Sequence, residues 1–233
     1  MVKPLELGKE VFPVSRKGST GFQSPAPSVL ERLGGVLIDS ESTFKAMLEG
    51  GVGVGGALLT VLVFSMVEGF TLGASLSGFL HHFGDFLTWL GFSLLGGFSL
   101  TWLNWLLIPS LIVGLTLFNL IFWTLTSWIS HIAAKYVFCG EGSYVQLLTL
   151  TGYGWTAVMP FLAGLALANL TESLLLLTVL TLTSLAWFFT VWVTAVKVAY
   201  GLDIGRAFTA SFLTPLTIYV IILFVVFKIP GVM

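Results

Sequence analysis

The residues whose types could carry chemistry are few. His81 and His82 stand four and three positions before Asp85, with Glu68 upstream, and imidazole and carboxylate groups are what a divalent ion or a proton relay would use. Adjacent histidines point to different sides of any regular element, and no H-x3-H spacing accompanies them; the cluster therefore reads as a wet outer loop. His131 and Lys135 are four apart on one helix face, the spacing of side chains that snorkel to lipid headgroups. No G-x-S-x-G, no H-E-x-x-H and no glycine-rich loop closing on Lys and Ser or Thr occurs, which leaves hydrolytic and nucleotide chemistry without their usual residues. Cys139 is the single cysteine, so no intramolecular disulfide and no cysteine-based metal cluster can form. The expectation is a protein without catalytic residues, cofactor or metal.

The elements that carry these residues are set by composition. Of 233 residues, 56% are hydrophobic and 9% charged, with a mean hydropathy of +1.00; a water-soluble domain carries about 25% charge. This is the composition of an all-α, multi-pass membrane protein. A net charge of -1 gives no reason to expect a nucleic-acid partner. Residues 1–38 hold a basic stretch rich in Gly, Ser and Pro, and read as a flexible, cytosolic N-terminal tail. Asp39 or Ser40 can cap a short helix bearing Phe44, Met47 and Leu48. The membrane domain is expected over 39–228, with a short tail at 229–233.

Five spans long enough to cross about 30 Å of hydrocarbon are expected near 48–67, 111–134, 147–168, 174–196 and 207–227. Their ends carry punctuation: a capping-box pattern at Ser143-x-x-Gln146, caps available from Thr171 to Ser173, and Gly201 followed by Asp203 between the last two. The first span is framed to leave Glu68 at an interface, because a charge near the bilayer centre costs roughly 3 kcal/mol. Its start holds Gly51, Gly53, Gly55, Gly56 and Ala57, small residues that let another helix approach closely.

The segment 86–108 is apolar and uncharged, and by hydropathy alone would be a sixth span, turning at Pro109-Ser110. Charge placement favours five. With the N-terminus inside, five spans put nine Lys and Arg residues on the inner side against Lys228 alone outside, whereas six spans give seven against three. The segment divides at Gly96-Gly97 into halves too short to cross, so it is expected to be re-entrant or interfacial.

Three stretches then resemble the Yip1 domain family in its prokaryotic branch. They are Leu37 to Phe70, His131 to Pro160 and Trp187 to Pro215, within a resemblance covering Asp39 to Phe227. Its carriers are the turn Gly140-Glu-Gly-Ser143 ending in Gln146, the pair Gly152-Tyr153 with Pro160 downstream, and the loop Tyr200-Gly201-Leu-Asp-Ile-Gly-Arg-Ala207. The resemblance implies five helices, a cytosolic N-terminus and no established enzyme activity. Eukaryotic relatives associate with small GTPases, but the Asp-Leu-Tyr-Gly-Pro motif of those members is absent and the role is not carried over.

The expected function is non-enzymatic: a multi-pass protein of the cytoplasmic membrane acting through membrane lipids, other membrane proteins or a second copy of itself. The expected contact residues are the inner-face turns Gly140, Gly142, Ser143, Gly201, Asp203 and Arg206. Tyr153 and Pro160 are expected to be structural, the proline kinking its helix near Thr156. The alternative is a transporter or channel subunit with six spans, drawing on Asn119 and Glu68.

Overall fold

The computed structural model describes residues 27–89, 101–171 and 173–226, and every regular element among them is a helix. Helix α1 (Val29–Ile38) starts in a capping box: the Ser28 hydroxyl accepts from the Glu31 N–H, and the Glu31 carboxylate accepts from the Ser28 N–H. Asp39 then caps α2 (Ser40–Glu49), its carboxylate accepting from the Ser42 N–H. Val36, Phe44 and Met47 from these two helices are buried in the main core. The expectation of a flexible tail over 1–38 is therefore corrected for 29–38. Capping, burial of Val36, and a hydrogen bond of 2.9 Å from the Arg32 guanidinium to the Tyr153 hydroxyl give this segment a fixed place.

Beyond the break at Gly51, whose φ of 63° is in the left-handed region, runs α3 (Val54–Trp89). It is followed by α4 (Thr101–Ile132), α5 (Tyr144–Gly154), α6 (Met159–Thr171), α7 (Leu174–Tyr200), α8 (Ile204–Phe208) and α9 (Thr214–Val226). Short turns of other pitch extend several of them: a π turn at Ala133–Val137, a 3₁₀ turn at Trp155–Val158 between α5 and α6, and a π turn at Thr209–Leu213 between α8 and α9. Among the described residues, five stretches are long and apolar enough to cross a membrane: Val54–Gly78, Leu106–Val137, Tyr144–Ala168, Leu175–Tyr200 and Ile204–Val225. Large apolar side chains such as Ile121, Leu182 and Phe224 face outward, as lipid tails require.

One expectation changes, and one alternative falls away. The first apolar helix begins at Val54, and Glu68 lies well inside it. The carboxylate is accommodated by a neighbour on α4: the Asn119 amide donates to it at 2.8 Å and to the Ser65 hydroxyl at 3.1 Å. The hairpin at Pro109-Ser110 that the six-span alternative needs does not form, because α4 continues through Pro109. The flanks of the apolar segment 86–108 belong to the end of α3 and the start of α4; its centre, 90–100, where a re-entrant turn was expected, lies outside the described residues. The His81, His82 and Asp85 backbone is part of α3, and their side chains also lie outside the described residues.

Helices α3 and α4 run antiparallel in close contact. A Cβ on Gly69 would lie 2.6 Å from the Ile112 Cα and 2.9 Å from the Leu111 carbonyl oxygen, and one on Gly73 would lie 3.2 Å from the Ile108 Cα. Helix α5 crosses α3 at a second such point, where a Cβ on Gly152 would meet the Ala57 Cβ at 2.7 Å and the Trp123 ring at 2.9 Å. Trp123 also donates its indole N–H to Thr151 at 3.1 Å, and Thr151 bonds Ser127 at 3.0 Å, so polar contacts tie α4 to α5 beside this crossing. The expected Tyr153 and Pro160 pair sits just beyond. Tyr153 is fully buried, and the helix tightens to 3₁₀ pitch over the turn before Pro160: Pro160 has no N–H for the Thr156 carbonyl, which accepts from the Met159 N–H instead.

Because the obstacle at Gly69 is backbone, it cannot rotate away. Gly69→Val should lower stability by about 1–3 kcal/mol, read as a fall in the thermal unfolding midpoint in nanodiscs. Gly55→Ala, which meets nothing within 4 Å, should match or exceed the parent. Equal midpoints for Gly69→Val and the parent would remove the close contact.

Candidate functional site

The two turns singled out in the sequence, 138–143 and 201–206, are brought together at one end of the bundle. The first leaves the π turn through Phe138 and Cys139, whose φ of 57° is unusual for a residue with a side chain. The Gly140 N–H donates to the Ala134 carbonyl at 2.9 Å, closing the end of the preceding helix. Ser143 then caps α5 in a capping box with Gln146, as the pattern of residues predicts. The second turn begins at Gly201 in the left-handed conformation (φ 65°), where the Leu202 N–H returns to the Lys197 carbonyl at 3.2 Å. Asp203 caps α8 by accepting from the Arg206 N–H at 3.0 Å, and its other oxygen meets the Arg206 guanidinium at 3.1 Å.

What joins the turns is the absence of side chains at Gly140 and Gly142. A Cβ on Gly142 would stand 2.1 Å from the Ala199 carbonyl oxygen, and one on Gly140 would stand 2.7 Å from the Tyr200 Cβ. The Glu141 N–H reaches the Tyr200 carbonyl at 3.4 Å, and the Tyr200 hydroxyl bonds the His131 ring. The result is a polar groove of about 460 Å³ lined by Cys139, Gly140, Gly142, Gln146, Gly201 and Arg206, among others. Four of the six expected contact residues line it, and Ser143 and Asp203 are the caps that fix its walls.

A second groove, of about 450 Å³, shares Gly201 and Leu202 with the first and carries the charges Glu41, Lys45, Glu49 and Lys197. Here Glu41 on α2 accepts from Lys197 on α7 at 2.6 Å and from Lys45 at 2.8 Å. Hydrogen bonding to Lys197, then to Lys45, draws the Glu41 carboxyl down from 4.5 to about 2. The Arg206 backbone N–H holds Asp203 below the usual carboxylate range, with the guanidinium charge adding to it. Glu41 and Lys197 are 156 residues apart, and no local pattern in the sequence pairs them. Tyr200, on which both glycines rest, was likewise missed as a contact residue; it belongs to the quoted loop, but its role appears only when the turns meet.

Neither groove holds a cluster of metal ligands, and no group of three or more His, Cys, Asp or Glu side chains converges among the described residues. The site offers caps, backbone groups, one guanidinium and a neighbouring ion-pair cluster. These are suited to recognition.

Two measurements check this geometry. Gly142→Ala should separate the turns, lowering the unfolding midpoint and changing the alkylation rate of the exposed Cys139, whereas Gly34→Ala, with nothing within 4 Å, should change neither. The Glu41 carboxyl lies below its unfolded value, so its contribution is complete above the ordinary carboxylate range and is lost as pH falls from there towards about 2. The stability difference between the parent and Glu41→Gln should therefore shrink over that window and with added salt; a difference independent of pH would exclude the ion pair.

No curated protein and no solved structure matches the chain. The Yip1 domain matches residues 34–227, from the middle of α1 to the end of the last span, and takes in both turns, both grooves and all five candidate spans. The chain is a multi-pass membrane protein that belongs to the Yip1 domain family.

Proposed function

We propose that this protein is a non-enzymatic scaffold of the cytoplasmic membrane, with its N-terminus and the joined turns facing the cytosol, and that it acts by binding another membrane protein, a second copy of itself or lipid headgroups at those turns. The observation that carries this reading is the convergence of two turns, 60 residues apart along the chain, onto one polar groove through glycines that admit no side chain. The orientation follows from charge: Arg32, Lys45, Lys135, Lys197 and Arg206 belong to this end of the bundle or to the helices leading into it, and the remaining tail adds four more basic residues.

The transporter reading keeps one observation in its favour, the Glu68, Asn119 and Ser65 cluster inside the bundle. Its sixth span would require the turn at Pro109-Ser110, where α4 is unbroken. Flux into proteoliposomes that Glu68→Ala or Asn119→Leu abolished would favour it.

For the scaffold reading, crosslinking and affinity capture should be compared between the parent and the Asp203→Ala, Arg206→Ala double variant. Both side chains are well exposed, but Asp203→Ala also removes the cap of α8, so the single Arg206→Ala variant, which keeps the cap, decides: specific partners should be lost from it as well. An unchanged partner set would remove this face from consideration.

A further inference from the structure

Helix α1 carries apolar side chains where a helix in water would carry polar ones. Its exposed positions are Val29 (55%), Leu30 (81%), Glu31 and Ile38 (86%), and the Glu31 carboxylate is committed to the capping box with Ser28. Leu30, Gly34 and Ile38 recur every four residues and so share one face. A Cβ on Gly34 would meet nothing within 4 Å, so none of the described residues covers that face. The next helix shows the contrast: α2 turns Ser42, Lys45, Ala46 and Glu49 outward, the pattern of a face that meets water. Arg32, the one cation of α1, lies on the opposite side of the helix from Leu30. Its guanidinium is drawn to the bundle, donating from Nε to the Pro27 carbonyl at 2.6 Å and from one amino group to the Tyr153 hydroxyl at 2.9 Å.

Depth says what covers the face. Tyr153 stands nine residues inside the span that begins at Tyr144, about 13 Å along the helix at roughly 1.5 Å per residue. Helix α1 also packs against the 3₁₀ turn Trp155–Val158, which is deeper still. In contrast, α2 reaches Lys197, three residues from the end of its span at Tyr200. Helix α1 therefore lies against the flank of the bundle, below the helix ends, and its open face continues the lipid-facing surface of the spans, of which Met159, half exposed beside the 3₁₀ turn, is the nearest part along the chain. Arg32 adds a second requirement. It has no carboxylate partner among the described residues, and its other amino group donates to none of them. A guanidinium so placed suits a phosphate oxygen, and phospholipid phosphates sit at the edge of the acyl chains, where an amphipathic helix lies.

We propose that α1 is an interfacial helix that docks on the phospholipid surface, in the leaflet on the side of the joined turns, with Leu30 and Ile38 among the acyl chains and Arg32 bonded to a headgroup phosphate. The joined turns then stand above that boundary, within reach of water. The surface is separate from both grooves, and its test does not depend on what binds them.

The full-length protein is placed in phosphatidylcholine nanodiscs with a nitroxide on one thiol at a time: the native Cys139, or Leu30→Cys or Ile38→Cys with Cys139→Ser. Collision of the label with oxygen, which concentrates among acyl chains, is compared with collision with a water-soluble nickel chelate. Oxygen should dominate in Leu30→Cys and Ile38→Cys, and the chelate at Cys139, which is exposed on the joined turns. Both substituted side chains are more than four-fifths exposed, so the fold does not hinge on them. The chelate dominating at either position would put α1 in water, and a label reached by neither collider would mean that protein, a second copy included, covers the face. Oxygen dominating at Cys139 would move the boundary past the turns. Each of these overturns the proposal. The phosphate contact is read by carbon-to-phosphorus dipolar dephasing on protein isotope-labelled at the arginine Cζ. A component within about 5 Å of phosphorus should shrink in Arg32→Lys, with Arg16 and Arg206 still present; equal dephasing in the two proteins would overturn the contact.

Discussion

Between lipid tails that are as apolar as leucine, helices are not driven together by the release of water, and close van der Waals contact must hold them instead. In this bundle that contact is made where glycine lets one backbone touch another. Gly69 lies against Ile112, Gly152 against Ala57 and Trp123, and Gly140 and Gly142 against Ala199 and Tyr200. Tyr153 extends the same principle: its hydroxyl fills the space left by Gly56 and accepts from Arg32, so one side chain ties the helix crossing to α1. The groove at the bundle end is a consequence of these contacts, because the turns could not meet if Gly142 carried even a methyl group.

Polar side chains complete what the glycines begin. Trp123, Thr151 and Ser127 bond one another across α4 and α5, and Asn119 links α4 to Ser65 and Glu68 on α3. Each link satisfies a donor that hydrocarbon would otherwise leave unmatched. Buried polar atoms of Thr116, Ser130, Trp155, Ser184 and Trp192 stand outside this pattern. At the bundle end, water is close by and charge can be used freely, so Glu41 and Lys197 hold α2 against α7 by an ion pair, the kind of link absent from the described residues deeper in the spans.

Much of this was legible in the sequence where the signal is local. Caps are local: Asp39, Ser143, Ser173 and Asp203 each accept from an N–H three residues on, as their spacing predicts. Hydropathy is local as well; by itself it would add a sixth span at 86–108, and the placement of Lys and Arg brings the count to the five apolar helices found. The start of the first was misplaced because the rule against buried charge was applied to Glu68 without its partner, and Asn119 is 51 residues away. The order in α1 was missed for the same reason. Arg32 reads as a tail charge until Tyr153, 121 residues on, is beside it. The six contact residues were chosen as two separate turns; that they share one groove depends on Tyr200 and on distances no spacing rule contains.

The central claim is that the joined turns form a contact surface on the cytosolic side. Cys139 tests it directly, being the only thiol in the chain, exposed, and part of the groove wall. Intact cells expressing the protein would be treated with a membrane-impermeant maleimide, then compared with permeabilised cells and with denatured protein as the control for reactivity. Labelling only after permeabilisation is predicted. Labelling of Cys139 in intact cells would place the turns on the outer face and contradict both the orientation and the surface proposed from it.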